Sequence, residues 1–112
     1  MSDDELMSEK ARLEREISDD ESEESYYREQ AEAAEAEVER IDREIEAEVR
    51  SAESNEEALD ITSEQASRNV QQDYYDRYST RANNAAEDKA RKQAELDEIT
   101  AEQQRRQRVL SA

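Results

Sequence analysis

The chain of 112 residues contains no glycine, proline, cysteine, tryptophan, phenylalanine or histidine. Glycine and proline are the strongest punctuators of regular structure, so little here stops a helix once it has begun. Without cysteine there is no disulfide framework and no thiol nucleophile. Without histidine the common general base near neutrality is missing, and with both absent so are the usual transition-metal ligands. No glycine-rich phosphate loop can form, and Asp19-Asp20-Glu21 lacks the alternation and the glycine of a calcium loop. Catalytic carboxylates need burial in a pocket to tune them, which a narrow helical object does not offer. These absences predict a protein that is not an enzyme, with no catalytic residues, no cofactor and no metal site.

Long apolar runs are also missing. None approaches the length of a membrane span, and Met1-Ser2-Asp3-Asp4-Glu5 is not a cleavable secretory signal. The expectation is a soluble chain without a membrane partner, cytoplasmic or exported by a route that needs no cleaved signal. Core material is thin: five Leu, five Ile and four Val make 14 of 112 residues. Sixteen Ala compensate, because Ala loses almost no side-chain entropy and lets helices approach closely.

What the chain has in excess is negative charge. The net charge is −17, with 22 acids and 7 bases in residues 1–56 and 11 acids and 9 bases in 57–112. Such a field disfavours nucleic acid and anionic membranes as partners. Arg outnumbers Lys 13 to 3, a balance compatible with a halophile's surface chemistry.

The apolar residues fall into heptads. Ser2 with Glu5 forms a capping box, followed by Leu6, Leu13, Ile17, Tyr27, Ala31, Ala34, Val38, Ile41 and Ile45 in one frame. In that frame a falls at 10, 17, 24, 31, 38 and 45 and d at 6, 13, 20, 27, 34 and 41. Lys10, Asp20 and Glu24 are its misfits, and Ser18–Ser25 is its weakest helical stretch. After Ile45 the frame slips. Ser54 with Glu57 and Thr62 with Gln65 are further capping signals, and Asn55 is the residue best suited to replace glycine at positive φ. The second stripe reads Ala66, Val70, Tyr74, Tyr78, Ala82, Ala85, Leu96, Ile99 and Leu110. Acid-before-base pairs four residues apart, Glu46–Arg50 and Glu102–Arg106 among them, add a few tenths of a kcal/mol each, on the order of 0.2–0.5.

The sequence therefore predicts an all-α fold, a long antiparallel helical hairpin or coiled coil forming one domain over 1–112. Helix one covers about 3–52, the turn lies within 51–65 and helix two covers about 64–110. The seam is assigned to Leu6, Leu13, Ile17, Tyr27, Val38, Ile41, Ile45, Val70, Leu96 and Ile99. Reversal near residue 52 sets Tyr26 and Tyr27 level with Tyr74, Tyr75 and Tyr78, and Arg105-Arg106-Gln107-Arg108 beside Asp3-Asp4-Glu5.

Two features point to partner binding. Asp73-Tyr74-Tyr75-Asp76-Arg77-Tyr78 places Tyr74 and Tyr78 on one helix face with Tyr75 about 100° away, and tyrosine is a good binding anchor. The bland alternative is that these rings fill the wide part of a core lacking Phe. A line of Ala82, Ala86, Ala90 and Ala94 admits a close neighbour on a second face. The partner expected is another helical protein, in a hetero-complex or a homo-oligomer.

Three stretches resemble the small WXG-type helical-hairpin proteins of type VII secretion, in particular the short partners that accompany LXG toxins. They are Glu5–Glu14, Ala66-Ser67-Arg68-Asn69 followed by Tyr74-Tyr75-Asp76, and Ala94–Ile99 onward. Ala66 and Arg68 stand where Trp and Gly of the motif would be, and no tyrosine follows Tyr78 to form a Tyr-x-x-x-Asp/Glu export signal. The resemblance implies a non-enzymatic adaptor, secretion partner or chaperone. The composition leaves two other readings open: an acidic DNA mimic that inhibits a restriction or CRISPR protein, and a structural or designed coiled-coil module.

Overall fold

The structure, a computed structural model, describes residues 1–111. It is all-α: α1 spans Asp3–Asn55 and α2 spans Thr62–Ser111, packed antiparallel as a helical hairpin. Among the described residues no helix is long and apolar enough to cross a membrane.

The ends follow local chemistry. Ser2 Oγ accepts from the Glu5 N–H at 3.1 Å, and Asp3, Asp4 and Glu5 fill the first turn, where the helix dipole favours negative charge. The Ser18–Ser25 stretch does not interrupt α1, which continues three residues past the expected end at 52. It stops where Glu56 takes φ 53° and the Glu57 N–H reaches back to the Ala52 carbonyl at 3.0 Å, a Schellman closure. The left-handed position thus falls on Glu56, not on Asn55. The Ser54–Glu57 signal is unused because Ser54 lies inside α1. The second helix begins at Thr62, two residues before the expected 64. Its cap is Asp60, whose Oδ1 accepts from the Thr62 N–H at 3.0 Å and from Thr62 Oγ1 at 2.7 Å, holding the Asp60 carboxyl below the usual range. The reversal over 56–61 lies inside the window 51–65.

Alternating three- and four-residue steps organise both helices. On α1 the frame does not slip: Glu48 and Ala52 continue it as half-buried d and a residues. On α2 and Ile61 just before it, the inward positions are 61, 68, 75, 82, 89, 96 and 103 as a, and 64, 71, 78, 85, 92, 99 and 106 as d, every one buried or half-buried. Val70 is not among them and is 48% exposed, so its assignment to the seam is corrected. Ala66, Val70 and Tyr74 are spaced by strict fours, which drift about 40° around a helix at every step, whereas a seam needs the 3.5 average.

Backbone contacts divide the chain into two compact units, one of residues 1–25 with 82 onward and one of 26–81. In the first unit Leu6, Leu13 and Ile17 are buried with Ala82 and Ala85, and Leu96 and Ile99 are half-buried. Leu13, 1% exposed, is the largest fully buried side chain. Asp20, a misfit of the sequence frame, is 8% exposed and paired with Lys92 Nζ at 2.9 Å, which raises the Lys92 pKa. Arg106 joins Asp3 at 2.9 Å, bringing the basic stretch of α2 to the acidic start of α1. In the second unit Ala31, Ala34, Val38 and Ile41 are buried, Ile45 is half-buried, and Arg68 meets Asp42 at 2.6 Å.

Surface ion pairs along the helices run at both three- and four-residue spacing. Arg12 lies between Glu9 and Glu16, Arg40 between Glu37 and Glu44, and Glu102 accepts from both Arg105 and Arg106. The last arrangement holds the Glu102 pKa at about 2, first through the Arg105 hydrogen bond and then through Arg106. These pairs are solvent-exposed or nearly so, and each adds little to stability.

Candidate partner-binding edge

Four tyrosines of the second unit form a ladder. Tyr27 and Tyr78, both at d, stack with ring centroids 6.2 Å apart and planes at 24°. Tyr26 meets the edge of Tyr27 at 5.3 Å, and Tyr74 lies 6.3 Å from Tyr78. The Arg81 guanidinium sits 5.6 Å from the Tyr27 ring centre, within cation–π range. The stack between helices thus performs the core-filling role, while the outer rungs remain in solvent: Tyr26 is 54% and Tyr74 41% exposed.

Heptad geometry places the exposed groups together. Tyr26 is at c of α1; Val70 is at c and Tyr74 at g of α2, with Arg81 also at g. On either helix c and g flank d, and two antiparallel helices that meet d to d turn those flanks to the same side of the seam. Tyr26, Val70 and Tyr74 therefore lie along one edge of the second unit, and Arg81 reaching over Tyr27 from its g position agrees with that handedness. The opposite, e-side edge carries the Arg68–Asp42 ion pair.

This arrangement revises the binding residues read from sequence. Tyr74 stays outward, but Tyr78 is half-buried in the stack and Tyr75 is half-buried at a, so they serve the seam. The alanine line does not make a separate face. Ala82 is 0% exposed inside the seam and Ala86 is half-buried, while Ala90 and Ala94 are exposed among charged neighbours. A four-residue spacing carries that line out of the interface as it does Val70. Sequence reasoning missed Tyr26 as an edge residue. Its signal was available, since a residue just before a d position stands at c.

Elsewhere the surface offers little chemistry. A shallow, open groove of about 400 Å³ beside the start of α1 is lined by Asp3, Met7, Gln103, Arg106, Gln107 and Leu110. Among the described residues no group of three or more acids is placed to hold a metal ion. Among the described residues Glu48, half-buried at d, is a carboxylate with a raised pKa; desolvation raises it first, and Glu64, at d of α2, adds repulsion. No protein-family model, curated protein or solved structure matches the chain.

Proposed function

We propose that this chain is a non-enzymatic protein–protein interaction module, an acidic helical hairpin that serves another helical protein as adaptor, secretion partner or chaperone. The observation that supports this reading most is the edge of the second unit. Tyr26, Val70 and Tyr74 are exposed along that edge, and Tyr26 and Tyr74 each pack against one ring of the Tyr27–Tyr78 stack. Aromatic side chains already fixed by packing lose little entropy on binding, which is the property of an interface anchor. A partner helix would lie along this edge and convert the hairpin locally into three helices.

The test is capture of partners from native lysate by the tagged chain and by a Tyr26→Ser, Val70→Ser, Tyr74→Ser variant of unchanged helicity. The expected result is a partner retained at 0.5 M salt by the wild type and lost by the variant. A partner that the variant keeps, that dissociates by 0.5 M salt and that DNA displaces would instead establish the acidic DNA mimic, because binding through carboxylates is screened and binding through apolar contacts is not.

A further inference from the structure

Beside the seam of the second unit, α2 carries another stripe: Ser63, Ser67, Val70, Tyr74, Arg77 and Arg81, alternating between c and g and all exposed. Steps of four and three keep these residues on one line, which a further helix can follow from end to end. Residues 26–81 hold 16 acids and 7 bases, yet the stripe has no acid. Another acidic chain can therefore approach along it without meeting a carboxylate of the stripe. The stripe is also its own complement. A second copy, antiparallel about a two-fold axis between Val70 and Tyr74, sets Val70 against Tyr74, Ser67 against Arg77 and Ser63 against Arg81, each pair twice. Every layer then joins a smaller side chain to a larger one, as close packing of two identical surfaces requires.

Charge agrees with that pairing. Among the described residues Arg77 and Arg81 join no ion pair, and Arg81 lies over the Tyr27 ring instead. Ser63 and Ser67 line a groove of about 210 Å³ together with Arg40, Glu44 and Glu64. Of its two carboxylates, Glu44 is paired with Arg40, whereas Glu64 meets no base among the described residues. Two-fold pairing brings Arg77 of the second copy over Ser67 to this groove, one helical turn from Glu64. An unpaired cation thus meets an unpaired carboxylate, once on each side of the axis. Building on this edge as the interface of the proposed module, a reading on which the step rests, we infer that its occupant is α2 of a second copy of the chain. The two α2 helices pack antiparallel between Val70 and Tyr74, with Arg77 of each copy in the groove beside Glu64 of the other.

A contact over 63–81 is about 27 Å long, small for a permanent assembly, so the dimer should dissociate in the micromolar range. Sedimentation of the full chain in about 0.15 M salt, from about 5 to about 500 µM, should show a monomer–dimer equilibrium. Arg77→Glu sets like charges together on both sides of the axis, and so does Glu64→Arg. Each variant alone, with wild-type helicity, should dimerise at least about tenfold more weakly. Mixed one to one, the two should form a heterodimer as tight as the wild-type dimer, because every contact then joins opposite charges. A mixture that associates no better than its components overturns the pairing. A dimer retained by the Tyr26→Ser, Val70→Ser, Tyr74→Ser variant lies elsewhere on the chain and overturns the stripe. A wild-type chain still monomeric at about 500 µM overturns the second copy as occupant. In that case a lysate partner lost by the same triple variant keeps the edge as an interface, to a different helical protein.

Discussion

Glu56→Gly should stabilise the protein, although it deletes a side chain. Glu56 is the residue with positive φ among those described, at 53°, and the Glu57–Ala52 hydrogen bond closes the helix around it. An L-residue in the left-handed region costs about 1–2 kcal/mol through crowding of its Cβ. Glycine removes that cost but loses about 0.5–1 kcal/mol more in unfolded-state entropy. The difference leaves a gain of about 0.5–1 kcal/mol. With an unfolding entropy of about 2.1 cal/mol/K per residue, a chain of this length should melt roughly 2–4 °C higher. Removing one negative charge from a chain of net −17 also helps, so Glu56→Ala is the necessary control. It loses the charge, keeps the Cβ and should recover only part of the gain. Thermal and urea unfolding followed by circular dichroism at 222 nm gives all three values. Asn55→Gly, at the last helical residue, should be neutral or destabilising. If Asn55→Gly stabilises and Glu56→Gly does not, the chain reverses at a different residue and the closure described above is wrong.

Leu13→Ala should cost about 2–5 kcal/mol, as large-to-small changes at fully buried sites do, whereas Val70→Ser should stay within about 0.5 kcal/mol; equal costs in urea unfolding would return Val70 to the seam. Stability should peak in mildly acidic solution. The folded-state pKa of Glu48 is raised, so its protonated form favours folding below the ordinary value of 4.5, and that contribution is lost as pH rises through the raised folded value. Glu102 at about 2, with Glu9, Glu37 and Asp60 also lowered by hydrogen bonds, contributes above the ordinary range and loses its contribution as pH falls toward 2. Melting temperatures measured from pH 2 to 8 should therefore decline on both sides, less steeply toward pH 8 in Glu48→Gln, and an identical alkaline slope in that variant would refute the assignment. Salt should raise the melting temperature, because the net charge of −17 opposes compaction and screening relieves it. A flat response from 0.05 to 1 M would mean that local ion pairs outweigh the global repulsion.

The hairpin was legible because the chain removes alternatives. With no glycine or proline, the helices had few places to end, and the heptads of α1 named Leu6, Leu13, Ile17, Ala31, Ala34, Val38 and Ile41 correctly as buried. The turn was harder for the same reason. Glycine usually marks the left-handed closing residue, and in its absence Asn55 was the natural choice over Glu56. That choice depends on which backbone carbonyl is left to satisfy once the helices have paired, a tertiary matter that local propensity does not contain. The cap at Asp60 is similar: Thr62 has the right chemistry to cap a helix, but its hydroxyl donates to Asp60.

The candidate edge was only half legible, and the cause lies in how polar residues at a and d were weighed. Following apolar letters along α2 leads from Tyr78 back to Tyr74, Val70 and Ala66, a run of fours that leaves the interface. Following the three–four rhythm from Ala85 and Ala82 leads to Tyr78, Tyr75, Gln71, Arg68, Glu64 and Ile61, half of them polar or charged, and this is the path the seam takes. On α1 the same preference for apolar letters made Asp20 and Glu24 look like a soft spot. Their counterparts Lys89 and Lys92 sit in the same rhythm on α2, about seventy residues away in sequence, with acids and bases matched layer for layer. A charged residue at a heptad position is thus a demand for an opposite charge elsewhere in the chain. In the second unit the same rhythm runs through Tyr75, Gln71, Arg68 and Glu64, which leaves Val70 and Tyr74, with Tyr26, on the surface.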